Sequence, residues 1–142
     1  MDKKTVLEII NKSPVMQLAT VDSEGRPHTR GMMPYSADET GIVFHTGSFK
    51  PLYKEILNNQ NLEVSFFDQA KMLQIRVSGV AKEITDQAFK EKIVSTPGRE
   101  FLKPWIERQG YDMLKVFKIE NCRAVIWTMA TNFEYPQKEV VF

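Results

Sequence analysis

Across residues 72–85 the apolar positions of one strand-like run change parity. Leu73, Ile75 and Val77 share one face, whereas Val80 and Ile84 share the other. Side chains alternate across a strand, so one straight strand cannot point both sets into one core. The exchange falls at Ser78-Gly79. A bulge or sharp bend there restores the pattern, as in a strand that turns the corner of a barrel. The chain is therefore expected to fold around a curved, antiparallel sheet.

The rest of the chain supplies strands to pair with it. Residues 15–21 and 27–34 flank Asp22-Ser23-Glu24-Gly25, a hairpin loop whose glycine suits a positive φ. Residues 42–46, 62–67, 113–120 and 123–129 read as further strands, which makes seven candidates with 72–85. Helices are expected over 5–12, opening on the capping-box pattern Thr5-Val6-Leu7-Glu8, and from Pro51 with Leu52, Tyr53, Ile56 and Leu57 as its apolar face. A third covers 86–94 with Phe89 and Ile93 inward. Residues 95–110, broken by Pro97-Gly98 and Pro104, read as an irregular or partly helical crossover, and a polar tail ends in Val140-Val141-Phe142. Many short strands without a repeat or linker predict a mainly β fold. The expected form is one domain over 1–142, a closed or nearly closed antiparallel barrel with flanking helices. Open edges in so small a barrel are a liability that dimerisation would cover.

Composition excludes several function classes. The 142 residues, 42% of them hydrophobic, can build a core without a disulfide or metal staple. Lys+Arg number 19 against 18 Asp+Glu, a net of +1, so no overall basic field favours nucleic acid or an anionic membrane surface. No apolar run is long enough to cross a bilayer. Cys122 is the sole cysteine and has no internal disulfide partner, which makes a reducing cytoplasm the expectation. With His28 and His45 it is too little, too scattered, for a zinc site, so no metal is expected. P-loop, dinucleotide and Gly-x-Ser-x-Gly signatures are all missing.

Three polar residues stand out. Arg30 lies in a strand among small and apolar neighbours, where a cation needs an anionic partner. Ser48 and Lys50 flank the start of the second helix, where free N–H groups, a hydroxyl and an ammonium suit a phosphate. Two readings stay open at this point. Either these residues hold a phosphorylated ligand, or Arg30 pairs with a structural carboxylate and Lys50 is solvated.

The order of the pieces adds a family resemblance. Gly25-Arg26-Pro27-His28-Thr29-Arg30-Gly31-Met32-Met33 precedes Gly41-Ile42-Val43-Phe44-His45-Thr46 and then Ser48-x-Lys50. Tyr53-Lys54-x-Ile56-x-x-Asn59 and Leu73-Gln74-Ile75-Arg76-Val77-Ser78-Gly79 follow. This series resembles the flavin-binding split barrels of the pyridoxamine 5′-phosphate oxidase-like superfamily, well over residues 5–85 and more loosely beyond. The resemblance implies an FMN-binding split barrel of six to seven antiparallel strands, with FMN held between the subunits of a homodimer. It implies that Arg30 meets the FMN phosphate or ribityl chain, with the Gly31 and Met32 backbone beside the ring. His45 and Thr46 would line the flavin, Ser48 and Lys50 would hold the phosphate, and Gln74 would hydrogen-bond the cofactor. Trp127 would cover it, or is a plain core tryptophan.

The likeness is nearer to short bacterial members than to the oxidase itself. The oxidase pattern carries a second cation where Phe49 stands and a lysine where Tyr35 stands. The end of the strand, Phe44-His45-Thr46, resembles the histidine-bearing strand of the nitroimidazole-resistance group, and the short length suits general-stress-type flavoproteins. His45 is the candidate catalytic residue, or else a hydrogen-bonded strand histidine at the dimer interface. The implied function is an FMN-dependent oxidoreductase for a small nitroaromatic or quinone-like molecule. The alternative is a non-catalytic dimeric module that holds flavin or haem.

Overall fold

The parity change at Ser78-Gly79 coincides with a break in strand register. In the computed structural model, which describes residues 1–142, strand β6 (Leu73–Ile84) pairs with β7 (Leu114–Thr128) along most of its length. Ser78 faces Arg123 and Val80 faces Glu120, so Gly79 alone is opposed by Asn121 and Cys122. The expected bulge is present, but its extra residue sits on β7, where Asn121 takes a φ of 54°. Residues 113–120 and 123–129, expected as two strands, are therefore one long strand bent at this point.

The other elements follow in chain order. Helix α1 (Lys3–Lys12) leads into β1 (Met16–Val21), β2 (Pro27–Met32), β3 (Ser36–Asp38) and β4 (Gly41–Gly47). Helix α2 (Pro51–Asn58) precedes β5 (Asn61–Asp68) and β6, then α3 (Gln87–Val94) and α4 (Leu102–Gln109) precede β7 and β8 (Lys138–Val141). The sheet order is β2-β1-β5-β6-β7-β4-β3, with β8 also on β7, and every pairing is antiparallel. Strand β7 shares its first half with β4 and its second half with β8, so the sheet divides along it. The end strands β2 and β3 do not pair with each other, so the barrel is split and not closed.

Several local outcomes refine the sequence reading. Helix α1 begins before Thr5 because the Asp2 carboxylate, not the Thr5 hydroxyl, caps it by accepting the Thr5 N–H at 2.9 Å. Pro51 opens α2 as expected. The 95–110 crossover contains a full helix, α4, which tolerates Pro104 in its first turn and ends at Gly110 with a φ of 79°. The polar tail carries β8, and just beyond it Phe142 exchanges backbone hydrogen bonds with Cys122. Strand β3 is too short to have left an alternating pattern.

Two apolar clusters hold these layers together. The larger one fills the barrel, where Phe44 stacks on Phe117 with ring centroids 5.6 Å apart. The smaller, including Val43, Ile93, Leu102 and Val116, lies between β4 and helices α3 and α4. Strand β4 is thus buried on both faces, which is why it reads as a continuous apolar run. Its even positions point into the barrel and its odd positions under the α3–α4 crossover. His45 therefore lies on the crossover side and Thr46 on the barrel side. Cys122 is buried beside the bulge, and burial pushes its thiol up to about 11, so it is no nucleophile at neutral pH.

Candidate functional site

The C-terminal end of β4 and the turn into α2 open onto a cleft of about 860 Å³. One wall is β2, with Arg30, Gly31 and Met32. The floor is the end of β4, with His45, Thr46 and Gly47, followed by Phe49 and Lys50 at the start of α2. Phe101 and Trp105 of the α4 region form the far wall, edge to face with centroids 5.5 Å apart. A cleft of this size, half apolar with a few polar groups, suits a nucleotide-sized ligand.

Its electrostatics divide the two cations. Lys50 is exposed, takes part in no ion pair and is the N-cap residue of α2 without a capping side chain of its own. Pro51 has no amide hydrogen and the Tyr53 amide donates to the Lys50 carbonyl at 3.1 Å, which leaves the Leu52 amide as the free donor of that helix end beside the ammonium. Arg30 is committed elsewhere. One Nη2–H donates to Glu55 Oε1 at 2.7 Å, and Nη1 donates to the Thr20 hydroxyl at 2.8 Å and the Leu18 carbonyl at 3.2 Å. The Thr20 hydroxyl in turn donates to Glu55 at 2.6 Å. That bond first, and Arg30 second, hold the Glu55 carboxyl below its ordinary value. Arg30 has the structural carboxylate partner that the sequence left open, and both side chains still border the cleft.

Thr46 supplies the clearest sign of a missing polar partner. It is only 5% exposed, borders the cleft, and its hydroxyl has no hydrogen-bond partner in the chain. A buried hydroxyl left unpaired costs about 1–3 kcal/mol, and this one is closed off from the open cleft, so an acceptor reaches it only if the lining shifts. His45 is half-buried nearby, and burial, then Arg99, then Lys50 push its protonation down to about 4. It is neutral at physiological pH.

The remaining expected residues fall in two places. Ser48 sits in the turn before α2 with its amide donated to the Met113 carbonyl at 2.9 Å, and it does not line the cleft. Gln74 and Trp127 are cross-strand partners on β6 and β7, away from the cleft of their own chain. Gln74 donates to Ser65 at 3.2 Å and the Trp127 indole to Asn132 at 2.9 Å. Both alternate with buried Leu73, Ile75 and Ile126, so they stand on the outer face of the sheet and Trp127 is not a core residue. Arg99, Glu55, Phe101 and Trp105 are site residues that the sequence did not reveal. Their partners lie far off in the chain, 54 residues between Arg99 and His45, and no motif marks them.

Comparison with known proteins places this geometry. The chain is 28% identical to the pyridoxine/pyridoxamine 5′-phosphate oxidase of Bartonella henselae over 124 residues, 87% of this chain and 59% of that protein. It is 30% identical to the one of a Chelativorans species over 107 residues, 75% of this chain and 51% of that protein. The chain thus spans little more than half the length of these curated relatives. Among solved structures, general stress protein 26 from Bacillus anthracis superposes with a TM-score of 0.75 at 21% identity, over 99% of this chain and 98% of that one. A NimC/NimA family protein from Clostridium acetobutylicum gives 0.74 at 16% identity, over 98% and 92%. A pyridoxamine 5′-phosphate oxidase-related, FMN-binding protein from Nostoc punctiforme gives 0.65 at 14% identity, over 96% and 88%. These likenesses show a shared fold, and no helix of the chain is long and apolar enough to cross a membrane. Residues 2–127 match the pyridoxamine 5′-phosphate oxidase family along most of the chain, so the chain belongs to that family.

Proposed function

We propose that the cleft binds FMN and that the protein is a flavin-dependent oxidoreductase for a small nitroaromatic or quinone-like molecule. The observation that carries this reading is the buried, unpartnered Thr46 hydroxyl in a cleft whose floor leads to the uncapped α2 terminus and Lys50. Lys50 and the Leu52 amide would hold the phosphate, and the Thr46 hydroxyl would donate to the bound cofactor once the cleft lining shifts to admit it. The backbone at Gly31 and Met32 borders the cleft, where a planar ring would lie beside it. FMN, when bound, supplies the electron transfer, so the protein needs no nucleophile of its own. The aromatic wall of Phe101 and Trp105 would stack a planar substrate and keep water from it.

The site is read as shared between two copies. Gln74 and Trp127 stand on an outer face beside exposed Phe67 and Met129, and exposed Val15, Phe49 and Trp105 rim the cleft. Docking one face on the other rim would cover both apolar surfaces and bring the partner copy's counterparts of Gln74 and Trp127 to the cofactor. FMN binding followed by fluorescence quenching tests this. Lys50→Glu and Trp127→Ala should each lose about tenfold or more in affinity. Mixing the two variants should restore tight binding to part of the population, because one of the two clefts in a mixed dimer is then wild type on both sides. No recovery in the mixture, or a strictly monomeric wild type, contradicts the shared site. Bleaching of the bound flavin by a reduced nicotinamide and its reoxidation by a nitroaromatic then separate an enzyme from a passive carrier.

A further inference from the structure

Arg99 lies in the turn between α3 and α4, behind the cleft wall, and is tied down from several sides. Its Nε–H donates to His45 Nε2 at 3.1 Å and its Nη2–H to the Pro34 carbonyl at 3.0 Å. Its guanidinium carbon stands 5.7 Å from the centre of the Tyr35 ring, whose hydroxyl is 2.9 Å from the Thr96 hydroxyl. Arg99 has no carboxylate within ion-pairing distance. The cation is instead held against a histidine.

A guanidinium offers donors only, so His45 can meet it only through a bare ring nitrogen. With Nε2 accepting from Arg99, the proton of the neutral ring is on Nδ1. An imidazolium would set N–H against N–H and cation against cation. Lys50, from the turn before α2, adds a second positive charge, and the Phe101 ring of the far wall lies 6.5 Å from the imidazole. No carboxylate is paired with His45 to oppose them. Nδ1 makes no hydrogen bond within the chain and is not among its buried orphan atoms, while His45 borders the cleft.

We infer that Arg99 is a positioning residue that fixes His45 in the Nδ1–H tautomer, so that His45 serves the cleft as a hydrogen-bond donor and not as a proton-transfer group. This rests on the reading of the cleft as the working site and narrows the molecules it takes. The group placed at His45 must carry an acceptor, such as a carbonyl oxygen, a nitro oxygen or an unprotonated ring nitrogen. A ligand that presents an ammonium or an N–H there is rejected, because donor would face donor.

The test is the ring-nitrogen spectrum of His45 in the full chain labelled with ¹⁵N, assigned with His45→Gln and followed against pH without FMN. In the wild type, His45 should be neutral at pH 6 with Nδ1 protonated, and should titrate near 4. Arg99→Ala should give a mixture of tautomers and raise the midpoint by about one pH unit or more. Arg99→Lys keeps the charge, so its midpoint should stay below that of Arg99→Ala. Adding FMN to the wild type should move the Nδ1 proton resonance. An Nε2-protonated neutral ring, a wild-type midpoint near 6.5, or identical spectra for Arg99→Ala and wild type would each overturn the inference. FMN that binds without disturbing Nδ1 overturns the donor role. Should Arg99→Ala fail to fold, the wild-type tautomer still decides. Should FMN fail to bind at all, the apo spectra are unaffected, so the two readings fail separately.

Discussion

Gly41→Ala should cost at least about 4 kcal/mol, a large share of the roughly 5–15 kcal/mol that holds a domain of ordinary stability together. Two effects coincide at this residue, where β4 begins beside β7. Its φ is +141°, a conformation that residues with a side chain rarely adopt, and an added Cβ would lie 2.0 Å from the Ile119 carbonyl oxygen. That oxygen is backbone in the most heavily paired strand, so it cannot step aside cheaply. Two other glycines separate the causes. Gly25 has a φ of +80° but nothing within 4 Å of a built Cβ, so Gly25→Ala should cost only about 1 kcal/mol from backbone strain. Gly79 lacks the positive φ, but a Cβ there would meet Glu120 O at 2.7 Å across the bulge, so Gly79→Ala should cost about 2–3 kcal/mol. Chemical denaturation of the three variants gives the order. Gly41→Ala as mild as Gly25→Ala would mean that β4 and β7 do not approach this closely.

Arg30 and Lys50, paired as phosphate anchors by sequence alone, should separate cleanly under mutation. Arg30→Ala should cost about 2 kcal/mol in stability, since it leaves Glu55 and Thr20 without their cation in a part-buried setting. Glu55→Ala should cost a similar amount, because it strands the guanidinium. The double variant should fall short of the sum by about 1–2 kcal/mol, as expected for partners in direct contact. Lys50→Ala should do the reverse, with stability within about 0.5 kcal/mol of wild type and FMN affinity lowered about tenfold. The Glu55 carboxyl also sets a pH signature. Its folded-state value is depressed, so the stabilisation is complete above the unfolded value of 4.5 and is lost as pH falls through the folded one. Glu55→Gln should flatten that part of the acid limb. Additive effects of Arg30→Ala and Glu55→Ala, or a Lys50→Ala that unfolds the protein, would contradict this division of roles.

What the sequence made legible was what neighbouring residues encode. The parity change in β6 pointed to the bulge, Pro51 to the start of α2, and Asp22-Ser23-Glu24-Gly25 to the first hairpin, with Gly25 at positive φ. The extra residue on β7 was invisible, because an Asn121 with φ of 54° in the middle of a run looks like a strand end. Strand β8 was missed because a four-residue edge strand needs only backbone partners, which β7 supplies. The site divides the same way. Arg30, Gly31, Met32, His45, Thr46 and Lys50 meet in one cleft because β2 and the β4–α2 turn are local units. Glu55 and Arg99 change what those residues can do, and neither left a pattern, since a single ion pair or hydrogen bond across 25 or 54 residues has no periodicity. Arg30 is held by the Glu55 carboxylate, and His45 accepts from Arg99.

Titration of the purified protein with FMN, read by the visible spectrum, tests the central claim most directly. Saturable binding at about one FMN per chain, with a shifted flavin band and a loss of affinity in Lys50→Glu, is the result this account predicts. A wild-type protein that stays colourless and takes up no added FMN would contradict it.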